Sequence, residues 1–158
     1  MPEQPQPEEL QKWHRWFAIE CNNRAWRLAE AAKRSGVEDA EMLDCAHAAA
    51  HHWGKVGTEL HRARAEMLLG HVHALLGNGA VALRYARSSC DFVLSHSSPA
   101  WEIAFAHAVL ANAGAAAGDR GIHANHYAQA QALGAALDDA EEREIFDATF
   151  RAVPAPAR

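Results

Sequence analysis

Glu66-Met67-Leu68-Leu69-Gly70-His71-Val72-His73-Ala74-Leu75-Leu76-Gly77-Asn78-Gly79-Ala80-Val81-Ala82-Leu83-Arg84-Tyr85-Ala86 reads as a helix, a Gly-Asn-Gly turn and the start of a second helix. Glycine just past the last periodic residue is a helix stop, because it adopts left-handed backbone without steric cost. The same turn signal stands upstream at Gly36 and downstream at Gly118, so Gly36, Gly77 and Gly118 follow one another at equal intervals. A helix-turn-helix unit recurring at a fixed period is the mark of a stacked helical array. The units fall at about 10–54, 58–95 and 99–137, and a last helix covers the exposed end.

Outward from that stretch, each helix carries its own start and stop signals. The first is expected from Pro7 to about Arg34, with Pro7 at its start and Glu8 and Glu9 in its electropositive first turn. Leu10, Trp13, Phe17, Cys21, Leu28 and Ala32 form one apolar face, while Trp16, Ile19 and Trp26 lie off it, which predicts a sandwiched helix. The second spans about Glu38–Trp53. Thr58 is the expected N-cap of the third, about Glu59–Leu76. The fourth covers about Ala80–Ser95. Ser98-Pro99 opens the fifth, which ends near Ala117, and the sixth runs from about Gly121 to Leu137. Asp139 with Glu142 forms a capping box for the seventh, which ends near Arg151. No segment alternates with period two. The domain reading is a disordered lead-in at 1–7, one helical-repeat domain at 8–151 and a tail at 152–158.

The bulk composition narrows the function classes. With 15 Lys+Arg against 20 Asp+Glu, the formal net charge of -5 argues against a nucleic-acid partner, which needs a basic face. It argues equally against an anionic membrane surface, and no apolar run approaches the ~20 residues of a spanning helix. Met1–Gln6 lacks the basic and apolar regions of a signal peptide, so a cytoplasmic location is expected. Cys21, Cys45 and Cys90 are scattered and odd in number; they read as small buried hydrophobes rather than a disulfide framework or a thiolate zinc site.

Leu69-Gly70, then Gly77-Asn78, then Ala82-Leu83 resemble the tetratricopeptide pattern. The third unit carries Leu110-Ala111, Gly118-Asp119, Tyr127 and Ala130; the first carries Leu28-Ala29 and Gly36. The resemblance implies an all-α, right-handed superhelix of three helix-turn-helix pairs plus a C-terminal capping helix. It also implies a concave groove lined by the first helix of each pair. Carried onto this chain, the groove residues are Asn23, Trp26 and Glu30 from unit one, Arg64, Met67 and His71 from unit two, and Phe105 and Asn112 from unit three. Trp26, Met67 and Phe105 supply apolar walls; the others supply a polar floor. On this reading Arg64 anchors an anionic group, His71 tunes affinity near neutral pH, and Arg64→Ala leaves the fold stable. The alternative is that Arg64 is a structural partner of Glu30. The groove would take a peptide, a protein or a small-molecule ligand; no cofactor is implied, and a homo-oligomer stays open.

The 11 histidines carry the competing reading. Asp44, His47 and His51 share one side of the second helix, with the donor types of a two-His-one-carboxylate metal site. Glu66 and His107 hold equivalent places in successive units and are expected to face each other as a carboxylate–imidazole pair. Such groups would make a metal-dependent enzyme on a helical bundle. Against it, no HExxH, GxSxG, P-loop or GxGxxG is present, and a bundle has no reason for evenly spaced turn glycines. The expectation is a binding module without metal or catalytic residues.

Overall fold

A computed structural model of the chain describes residues 4–157, and within them it is all-helical with no strand. Met1–Glu3 of the expected lead-in and Arg158 of the expected tail lie outside those residues. The helices follow in the order α1 (Pro7–Ala29), α2 (Gly36–Val56), α3 (Glu59–Leu75), α4 (Gly79–Ser95), α5 (Ala100–Ala117), α6 (Arg120–Ala135) and α7 (Ala140–Phe150).

The caps explain most of these limits. Pro7 sits in the first turn of α1, where a missing N–H costs nothing. Ser35 and Glu38 cap α2 reciprocally, at 2.8 and 3.2 Å. Thr58 caps α3 and His61 returns the bond to the Thr58 N–H at 3.1 Å. Asp119 and Asp139 accept the first-turn N–H groups of α6 and α7. Pro99 itself is the N-cap of α5, so that helix starts one residue later than the sequence signal. Ser98 instead closes α4, its hydroxyl donating to the Val93 carbonyl at 2.8 Å.

The first turn differs from its expected form. α1 stops at Ala29, well short of Arg34, and Gly36 begins α2 instead of ending α1. Among the described residues, Gly77 and Gly118 alone have positive φ, at 77° and 71°. The reason lies in Arg34. Its guanidinium donates to the carbonyls of Leu28 and Ala31 at the frayed end of α1 and pairs with Asp39 at 2.7 Å. That side chain satisfies the orphan carbonyls that a left-handed glycine serves elsewhere. The regular spacing of the glycines accordingly relates the starts of α3 and α5, and of α4 and α6, but not the first pair.

Within each pair α1 packs on α2, α3 on α4 and α5 on α6, and α2, α4 and α6 each touch the helix that follows. The odd-numbered helices also touch in series, α1 on α3, α3 on α5 and α5 on α7. Close approach depends on small side chains. A Cβ on Gly79 would strike the backbone of Ala116 and Ala117, so glycine there brings the start of α4 onto the end of α5. α3 and α5 are the central elements, buried nearly all round. Phe146 of α7 fills the far end of the core, and Val153 follows it in, so the start of the expected tail is packed.

The sandwiched α1 of the sequence reading is not observed over its first half. Leu10, Trp13, Trp16, Phe17 and Ile19 are each about half exposed, with Trp13 at 51% and Trp16 at 53%. Among the described residues, no other helix covers this outer side of α1. Trp13, Trp16 and Phe17 cover one another instead, with ring centroids 5.0–6.4 Å apart.

Candidate functional site

The odd-numbered helices form the walls of a cleft of about 390 Å³. α1 contributes Asn22 and Trp26, with Glu30 at its C-cap; α2 adds Trp53 from its last turn. α3 contributes His61, Arg64 and Met67, one face of that helix at three-residue spacing. α5 contributes Trp101, Glu102 and Phe105, and α7 adds Ile145.

Edge-to-face aromatic contacts hold the walls. Phe105 meets Trp26 at 5.3 Å and Trp101 at 6.4 Å, both near perpendicular. Trp53 stacks on His61 at 4.2 Å. Quadrupoles favour the perpendicular pairs, so the rings are fixed before anything enters the cleft. On the polar side, Arg64 Nε donates to Glu102 Oε1 at 2.6 Å and Nη2 to Oε2 at 3.3 Å. The guanidinium also lies over the Trp101 ring, 5.8 Å from its centroid. The Glu102 side chain is 2% exposed and that of Arg64 44%. Glu30 stands at the rim; desolvation by the walls raises its carboxyl pKa, against the pull of the Arg151 charge. Burial, then the charges of Arg15 and Arg64, lower the pKa of His61, which favours a neutral imidazole.

Five of the eight groove residues read from sequence meet here: Trp26, Glu30, Arg64, Met67 and Phe105. The other three do not line the cleft. Asn23 lies outside it. His71 and Asn112 lie beneath it, 1% and 4% exposed, with Asn112 Nδ2 3.1 Å from His71 Nδ1. Trp26 stacks over His71 at 5.6 Å and closes it from the cleft. Burial and the charge of Arg34 push the His71 pKa down to about 4, so this imidazole does not titrate near neutral pH. The partner of Arg64 is Glu102 rather than Glu30, and its bidentate fork is occupied. An incoming anion would have to displace a buried carboxylate to use it.

The sequence reading missed Asn22, Trp53, His61, Trp101, Glu102 and Ile145. A shift by one repeat maps Arg64 onto Phe105, whereas in space Arg64 meets Glu102. Trp101 lies one turn before Phe105 on the same helix and could have been found from that spacing. Trp53 and Ile145 come from helices outside the groove pattern and left no such signal.

Six of the 11 histidines form inter-helix pairs. His14 and His52 meet at 2.7 Å, His47 and His73 at 3.2 Å, and His107 and His126 at 2.8 Å. Each pair is one imidazole N–H donated to the other's lone pair. Among the described residues, no three His, Cys, Asp or Glu come together in a geometry that holds a metal ion. His47 turns to His73 and His51 packs on His52, so the strip read on the second helix does not converge with Asp44. The expected Glu66–His107 contact is replaced by two others: Ser88 donates to Glu66, and His107 pairs with His126. No helix among the described residues is long and apolar enough to cross a membrane.

The chain matches no protein-family model, no curated protein and no solved structure.

Proposed function

We propose that this protein is a non-catalytic binding module, a tetratricopeptide-like superhelix whose cleft between α1, α3 and α5 takes a ligand. One observation carries the reading: the cleft is a pre-formed aromatic box with few polar groups. Trp26, Trp53, Trp101, Phe105 and Met67 surround Asn22, Glu30 and the Arg64–Glu102 pair. Ligand sites are concave, mostly apolar and of roughly 300–1,000 Å³, with a few converging polar groups that set orientation. A volume of about 390 Å³ suits a small molecule, or one anchor side chain of a partner peptide or protein. The serial contacts of the odd-numbered helices support the superhelical part of the proposal. The half-exposed aromatic cluster at the start of α1 does not enter the cleft.

Native mass spectrometry of the protein purified without denaturation tests this. The expected result is a bound species, carried by the wild-type chain and depleted about tenfold or more in Trp101→Ala, whose far-ultraviolet circular dichroism stays unchanged. A species carried equally by both proteins would place the ligand elsewhere.

A further inference from the structure

The antiparallel register of α1 and α2 brings two cysteines together. His14 meets His52 at 2.7 Å near one end of the interface, and Arg24 meets Glu41 at 2.7 Å nearer the other. Cys21 lies two helical turns beyond His14 and just before Arg24; Cys45 lies two turns before His52 and one turn beyond Glu41. Residues three, four and seven apart share a helix face, so the two bracketing contacts set Cys21 opposite Cys45. Each thiol stands near enough to the other to perturb its ionisation. The helices can approach closely there because Ala18, Ala25, Ala46 and Ala49, all 0% exposed, surround the pair. A disulfide needs that closeness, with Cα atoms no more than ~7 Å apart. Both cysteines are half-buried and reachable from solvent, whereas Cys90 is buried at 2% exposure.

We propose that Cys21 and Cys45 form a reversible disulfide that locks α1 to α2 when a small-molecule disulfide is present as oxidant. The chemistry is thiol–disulfide exchange. One cysteine thiolate attacks the oxidant, forms a mixed disulfide and releases one thiolate. The second cysteine thiolate attacks the protein sulfur of that mixed disulfide, forms the Cys21–Cys45 bond and releases the other. Two electrons pass from the cysteine pair to the oxidant, and the two thiol protons end on its two released thiolates. Burial raises the pKa of both thiols, so exchange accelerates as pH rises above neutrality. The bond would close the loop that contains the irregular α1–α2 connection, which stabilises the first helix pair by constraining the unfolded chain.

The test is to incubate the full chain with oxidised glutathione at mildly alkaline pH and follow intact mass and free thiols. The expected product loses the mass of two hydrogen atoms, joins the peptides of Cys21 and Cys45, and leaves Cys90 to be alkylated only after unfolding. Its thermal midpoint should rise by several degrees and return on reduction. Cys21→Ser and Cys45→Ser should each halt at a single stable glutathione adduct. Stable adducts on both cysteines of the wild-type chain, covalent dimers through them, or no reaction at either would overturn the proposal.

Discussion

Arg64→Ala is expected to lower the unfolding free energy by about 3 kcal/mol, the opposite of what a free ligand anchor would do. The substitution leaves the Glu102 carboxylate, 2% exposed, without its bidentate partner. Breaking a buried pair from one side typically costs about 3–5 kcal/mol, because a charge stays desolvated. The lower end applies because Arg64 is 44% exposed and water can enter where it stood. Glu102 also sits in the first turn of α5, where the helix dipole offsets part of the loss. Glu102→Gln in the same chain should restore most of the stability, since a neutral amide there needs no counter-charge. Urea denaturation of the two single variants and the double variant reads this as a cycle. Additive losses would show that the pair is not coupled.

Acidification is expected to cost a similar amount, about 3 kcal/mol, at His71 alone. An unfolded histidine takes up its proton near pH 6.5, while His71 in the fold does so only at about 4. Between those values the unfolded chain binds a proton that the folded chain refuses. Stability from this group is therefore complete above pH 6.5, falls as pH drops, and stops falling near pH 4. A shift of that size corresponds to roughly 3 kcal/mol. Protonation would also break the amide contact, because Asn112 Nδ2 donates to the Nδ1 that must accept the proton. The pKa values of His52, His73, His107 and His126 are lowered too, each chiefly by burial, so they add losses of the same sign. Denaturation midpoints measured from neutral pH down to about pH 4 check the slope. His71→Gln, which cannot titrate, should flatten it; an unchanged slope in that variant would show that His71 does not set the acid sensitivity.

Gly77 and Gly118 announced their turns because a left-handed position strongly selects glycine. Gly36 misled because residue type is not conformation: there an arginine side chain closes the helix end. The third and fifth helices are apolar nearly all round in sequence, as a central element requires, and α3 and α5 are the most buried helices. The same reasoning failed for Trp13 and Trp16, since periodicity tells which residues share a face but not whether a neighbour exists to cover it. Within the cleft, Trp26, Glu30, Arg64, Met67 and Phe105 were legible from the repeat pattern. Glu102 was not, because repeat period is a property of the chain while contact is a property of how two helices cross. Arg64 meets a residue 38 positions on and His71 one 41 positions on, along the same two helices. His71 and Asn112 were correctly aligned with each other and assigned to the wrong side of Trp26.

The five tryptophans supply the most direct test of the cleft as a ligand site. Their indole N–H resonances can be followed while the protein is titrated with its co-purifying species or with a mixture of small aromatic and aliphatic fragments. Trp26, Trp53 and Trp101 line the cleft, whereas Trp13 and Trp16 lie outside it at the start of α1. If the cleft is the site, Trp26, Trp53 and Trp101 move together and saturate while Trp13 and Trp16 stay in place. Shifts confined to Trp13 and Trp16, or binding that moves none of the three cleft indoles, would contradict it.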